Sequence, residues 1–148
     1  MKAKLTAVLV SAALAAFAGP ASAEISGGVV KIGVLNDMSG LYADIAGPNS
    51  VVAAELAVED FKNQAKPDFK IEIVSADHQN KPDVGSSIAR QWFDAEGVDA
   101  IADVPTSSVA LAVSQVAKDK NKVMLNSGAG SSDITGKACS PNTVHWTY

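Results

Sequence analysis

Apolar and polar positions along the chain alternate between two periods. Residues 29–35, "VVKIGVL", form a β-branched run of strand length, and in "PNSVVAAELAVEDFKN" the residues Val51, Ala54, Val58 and Phe61 then recur at spacings of three, four and three. That spacing predicts a helix with those four side chains on its buried face, capped by Asn49 or Ser50. The scheme repeats: "FKIEIVSA" sets Phe69, Ile71 and Ile73 against Lys70 and Glu72, and Asp83 opens a helix carrying Val84, Ile88 and Trp92 four apart. Gly97 stops that helix, "VDAIADV" is a third strand, and a third helix runs from Ser107 or Ser108 to about Lys120 with Val109, Val113 and Val116 inward. "KVML" (122–125) reads as a fourth strand, and "TVHWTY" at the end as extended chain.

Strands and helices in strict alternation imply right-handed crossovers. The expected fold is therefore α/β: a Rossmann-like parallel sheet with helices on both faces. In such sheets ligands lie outside the carboxyl ends of the strands, which singles out the loops 36–49, 77–83, 105–108 and 126–132 before any motif is considered.

The first 23 residues fall outside this alternation. Lys2 and Lys4 precede an uncharged run from Leu5 to Phe17, and Ala21-Ser22-Ala23 supplies a small-residue cleavage site, the pattern of a secretory signal peptide. The run is too short for the roughly 20 residues a membrane-spanning helix requires. Expected boundaries are thus 1–23 for the signal peptide and 24–148 for one exported domain, not inserted in the membrane after cleavage. The chain carries 12 Lys and Arg against 16 Asp and Glu. Without Lys2 and Lys4 the net charge falls from −4 to about −6, which disfavours nucleic acid and anionic lipid as partners. Cys139 is the single cysteine, either a buried thiol or half of a pair whose other member is not in this sequence; with no Cys/His cluster, no structural metal site is expected.

The strand-end loops read "NDMSGLYADIAG", "DHQNKPD", "PTSS" and "NSGAGSS", rich in hydroxyl, amide and glycine and poor in acid–base pairs. Thr106, Ser107 and Ser108 stand where the third helix begins. There the unpaired N–H groups and the helix dipole favour a carboxylate or phosphate, although a hydroxyl at that position also serves as an ordinary N-cap. One cap requires one hydroxyl, and three are present. Gly128, Ala129, Gly130 and Ser131 follow the fourth strand, where small residues either let a ligand approach the backbone or make a flexible loop. Tyr42 is placed to stack on a ligand or to cover the core edge.

Nucleotide binding is disfavoured, since the first strand–helix turn lacks GxGxxG and no GxxxxGK[ST] occurs. No cofactor is expected. His78 and His145 are the only histidines, no GxSxG elbow is present, and Ser39 has no evident base partner, so the reading is not an enzyme. A metal shared by Asp77, His78 and Asp83 is less economical than solvated or capping roles for those groups.

Taken in succession, "KIGVLNDMSGLYADIAGPNSVVAAELAVEDF", "IVSADHQNKPD", "GVDAIADVPTSSVALAVSQVA", "KVMLNSGAGSSDITGK" and "VHWTY" resemble the N-terminal lobe of periplasmic substrate-binding proteins of the leucine/isoleucine/valine-binding type, which serve ABC importers. The resemblance implies a type I periplasmic binding protein lobe whose second lobe is missing here, a small carboxylate ligand held between lobes, delivery to an inner-membrane permease, and a monomer. It places the carboxylate-binding hydroxyl on Thr106 with Ser107 and Ser108 beside it, and further contacts on Gly128, Ala129, Gly130 and Ser131. The first-loop "SG" falls on Ser39-Gly40. The covering aromatic aligns near Ile45, a departure for which Tyr42 is the substitute. "NDMSGLYADI" and "ACSPNTVHWTY" are similar to a branch labelled branched-chain amino acid binding, some of whose members take aromatic or other carboxylic acids. The alternatives are a sensing ectodomain of a receptor and a nonfunctional truncated remnant.

Overall fold

The computed structural model describes residues 26–146. The signal peptide expected over 1–23 and the last two residues of "TVHWTY" lie outside that range. Within it the chain runs β1 (Val29–Asn36), α1 (Gly47–Ala65), β2 (Lys70–Asp77), α2 (Pro82–Gln91), β3 (Ala100–Asp103), α3 (Ser107–Asp119), β4 (Val123–Asn126) and β5 (Thr143–His145). The five strands form one sheet in the order β2-β1-β3-β4-β5. Every pairing is parallel, as the alternation of strand and helix requires. All five carboxyl ends therefore share one edge.

The core lies between the sheet and the α2–α3 pair. Leu35, Ile101 and Met124 from the sheet meet Ala89, Val109, Val113 and Val116 from the helices, all essentially inaccessible to water. The three valines are those that the spacing of the third helix predicts. Trp92 fills the space over β1 only because residue 33 is glycine: a Cβ there would lie 2.3 Å from the ring's Cζ3. After α2 the chain adds one π turn, Trp92–Glu96, before Gly97 ends it in the left-handed region at φ 68°. Gly97 is the expected stop, and a residue with a Cβ is disfavoured there.

The other face differs from the expectation. Of the predicted buried face of α1, Val51, Ala54 and Val58 are only half-buried and Phe61 remains 43% exposed. The reason is that α1 packs chiefly on β1 and β2. An apolar groove of about 440 Å³ is left among Ala54, Ala57, Phe61, Ile32, Ala102 and Leu125.

Two helix starts also shift. α1 begins at Gly47, ahead of Asn49 and Ser50, because Asn36 Oδ1 accepts the Gly47 N–H at 3.2 Å and so fixes the first turn from the end of β1. α2 begins at Pro82 with Lys81 at the N-cap, leaving Asp83 inside the first turn, where its charge suits the helix dipole.

Candidate functional site

Each strand ends in a polar residue: Asn36, Asp77, Asp103, Asn126 and His145. These residues organise the edge at which a ligand would bind. β1 is flanked by β2 and β3, so the loops leaving β1 and β3 diverge to opposite faces and open a crevice between them, the usual ligand position in doubly wound sheets.

The loop after β1 folds around carboxylates. Asp37 accepts the N–H groups of Gly40 at 2.9 Å and Tyr42 at 3.0 Å. Asp77, at the end of β2, accepts the Ser39 hydroxyl at 2.6 Å and the N–H groups of Met38 at 3.0 Å and Gln79 at 2.7 Å. Burial pushes the Asp77 carboxyl up, but these three donors and the neighbouring His78 outweigh it and hold the group below the usual carboxylate range. Ser39, a predicted ligand contact, thus has its hydroxyl on Asp77 and ties the loop to β2. Tyr42 is half-buried on the same loop.

His78 is wholly buried. Its Nδ1 accepts the Asn80 N–H at 3.0 Å, which places the proton of the neutral ring on Nε2, and Nε2 has no hydrogen-bond partner. Burial drives its pKa down against the opposing pull of Asp37, Asp77 and Asp103. Asp83 is exposed on α2, and no cluster of three metal-ligating side chains occurs among the described residues.

β3 ends in an uncommon turn. Asp103 and Val104, neither of them glycine, have φ of 76° and 54°, a conformation that is strained for a β-branched residue. Asn126 holds it: its buried side-chain amide donates to the carbonyls of Asp103 at 3.0 Å and Val104 at 2.9 Å. The Asp103 carboxylate is gripped in turn by Asn36 Nδ2 and the Ser127 hydroxyl, each at 2.6 Å. The turn delivers Thr106 to the N-cap of α3, where its carbonyl accepts the Ala110 N–H at 2.8 Å.

The Thr106 hydroxyl makes no capping bond. Its Oγ1 is buried without a partner, although an N-cap hydroxyl ordinarily binds an N–H of the first turn. Ser107 is half-buried and Ser108 exposed, and the N–H groups of the first helical turn lack intrahelical partners as in any α-helix.

The structure brings the two predicted ligand segments together. A Cβ on Gly128 would lie 2.9 Å from Pro105 Cα and Cβ, so only glycine lets the loop after β4 rest against the loop after β3. Ala129 is buried, Gly130 exposed and Gly128 half-buried. Ser131 is drawn off to cap the short turn Ser132–Ile134, its Oγ accepting the Asp133 N–H at 3.3 Å. Ser39 and Tyr42 stand on the β1 side of the crevice. Sequence reasoning passed over Asn36, Asp103, Asn126 and His145, whose signal is an amide, acid or imidazole closing an otherwise apolar strand. Cys139 is an exposed free thiol, so the buried alternative does not hold.

Residues 29–148 match the family described as periplasmic binding protein. A periplasmic binding protein from Burkholderia mallei is 45% identical, with a TM-score of 0.75, over 82% of this chain and 32% of its own. A branched chain amino acid ABC transporter periplasmic ligand-binding protein from Burkholderia xenovorans is 48% identical, with a TM-score of 0.71, over 76% of this chain and 30% of its own. A solute binding protein of an ABC transporter from Rhodopseudomonas palustris, in complex with 4-hydroxybenzoate, is 28% identical with a TM-score of 0.68, over 79% of this chain and 31% of its own. No match is found among curated proteins. The chain spans about a third of the length of these solved proteins. Its parallel sheet has the architecture of a type I periplasmic binding protein lobe. On the family match and on the identity to the two Burkholderia proteins, this chain belongs to the periplasmic binding protein family.

Proposed function

We propose that the protein is the exported solute-binding component of an ABC importer. It captures a small carboxylate, an amino acid or an aromatic acid, at the carboxyl edge of the sheet and passes it to an inner-membrane permease as a monomer. In this reading 1–23 is a cleaved signal peptide, and 24–148 is the N-terminal lobe of a cleft that a second lobe completes. Neither cofactor nor catalytic step is involved.

The observation that carries the reading is Thr106. A hydroxyl at a helix N-cap that caps nothing, buried and without a partner, is a donor held in reserve. A side-chain hydroxyl without a partner can change its χ1 rotamer to meet a ligand at the start of α3. There a carboxylate would meet it together with the free N–H groups and dipole of the first turn. Ser107 and Ser108 line the same mouth, and Gly128, Ala129 and Gly130 bring backbone beside it. Ser39 and Ser131 act as supports, and Tyr42 is the candidate aromatic cover from the opposite side of the crevice. The 4-hydroxybenzoate complex of the Rhodopseudomonas protein and the branched chain amino acid description of the Burkholderia xenovorans protein both fit a carboxylate.

One lobe buries little of a ligand, so binding to this chain alone should be weak. The test is therefore an amide NMR titration with millimolar 4-hydroxybenzoate, isoleucine and, as the uncharged control, 4-hydroxybenzamide. Shifts at 106–109 and 128–130 with either acid and none with the amide are expected. Equal shifts with the uncharged control, or shifts confined to other residues, would refute a carboxylate site.

A further inference from the structure

Gly128 and Gly130 flank Ala129 in the loop after β4, yet the peptide units on both sides of Ala129 are held. Asn126 Oδ1 accepts the Ala129 N–H at 3.1 Å, and His145 Nε2 lies 2.6 Å from the Ala129 carbonyl oxygen. A carbonyl only accepts, so the imidazole must carry its proton on Nε2 and donate it. The two holders are the last residues of β4 and β5, paired in register in the sheet. Ala129 itself is fully buried, whereas Gly130 beside it is exposed.

The geometry points to His145 and Asn126 as positioning residues: they fix the Gly128–Ala129 and Ala129–Gly130 peptide units and thereby aim the Gly128 and Gly130 backbone at the mouth of α3. This role rests on the carboxylate-site reading above. The physical argument is one of rotation. Each of the two peptide units that meet at Ala129 has a glycine on its other side, which lets its plane turn at little cost. The Asn126 bond to the Ala129 N–H holds the Gly128–Ala129 unit and leaves the Ala129–Gly130 unit free to turn. The His145 bond to the Ala129 carbonyl holds that second unit. Asn126 also donates to Asp103 and Val104, so the same side chain fixes the loop before α3 and the loop after β4 relative to each other. The two halves of the site are thus set in place before any ligand arrives, which reduces the ordering cost of binding.

His145→Phe and His145→Gln, made in the complete chain, separate this role from general stability. The readout is hydrogen exchange of the Ala129 amide, a bond that His145 does not itself make. With His145→Phe, Ala129 exchange should rise about tenfold or more while the amides of Leu35 and Ile101 keep their wild-type rates. With His145→Gln, whose side-chain amide can restore the donor, Ala129 should stay near wild type. Unchanged Ala129 exchange in the phenylalanine variant overturns the role, as does an equal rise at Leu35 and Ile101, or a glutamine variant that behaves like phenylalanine. A parallel titration with 4-hydroxybenzoate keeps the two readings apart. Loss of the 128–130 shifts in His145→Phe but not in His145→Gln is expected. If the wild-type chain shows no shift with that acid, the carboxylate reading fails for it, and the exchange data still decide whether His145 positions the loop.

Discussion

Replacing Thr106 by valine sets the two roles of an N-cap hydroxyl against each other, and the sign of the stability change distinguishes them. At an ordinary N-cap, removal of the hydroxyl costs about 1 kcal/mol, because an N–H of the first turn loses its acceptor. Here that bond does not exist, and Oγ1 is buried with no partner. An unsatisfied buried hydroxyl carries a desolvation penalty of about 1–3 kcal/mol, which a methyl group of similar shape does not incur. Thr106→Val should therefore stabilise the ligand-free protein by about 1 kcal/mol, raising the melting temperature by about 3–5 °C for a domain of this size. The same change removes a donor to a charged ligand, worth about 1.5–3 kcal/mol, or about 10–150-fold in affinity. Thermal melting without ligand and NMR titration with 4-hydroxybenzoate read the two effects independently. A melting temperature lowered by several degrees together with unchanged titration shifts would show that the hydroxyl serves the fold, and the reasoning would be wrong.

Gly33→Ala should be strongly destabilising, by about 1–3 kcal/mol or more, because its Cβ would lie 2.3 Å from a Trp92 ring that is itself buried; urea denaturation gives the value, and a wild-type midpoint would refute the packing argument. Stability should also fall as the pH drops through about 6.5. His78 has a lowered pKa in the folded state, so the unfolded chain takes up its proton first and stability rises with pH across that interval. His78→Asn, which keeps an acceptor for the Asn80 N–H, should flatten that part of a melting-temperature profile, and an unaltered slope would assign the effect to other groups. The Asp77 contribution runs in the same direction at lower pH, since its depressed pKa means that its stabilisation is lost only as the pH falls below the usual carboxylate range.

What the sequence determined by itself is local periodicity and its consequences. Alternation of β-branched runs with three-and-four spacing was enough for a parallel α/β sheet, for Val109, Val113 and Val116 as a buried stripe, for Gly97 as a stop, and for the strand-end loops as the place to look. These follow from backbone geometry, which each segment carries alone. Helix starts were less legible, because the first turn of α1 is fixed by Asn36, eleven residues away in another element. The face of α1 was misjudged for a similar reason: amphipathic spacing states which side chains can be buried, not whether anything lies against them. Only the tertiary structure decided that Gly128 rests on Pro105, that Asn126 and His145 hold the two peptide units that meet at Ala129, and that the Thr106 hydroxyl is left without a partner. The His145 contact with Ala129 and the Asn126 contact with Asp103 join residues 16 and 23 positions apart along the chain, set by which strands the sheet makes neighbours, and no local pattern encodes them.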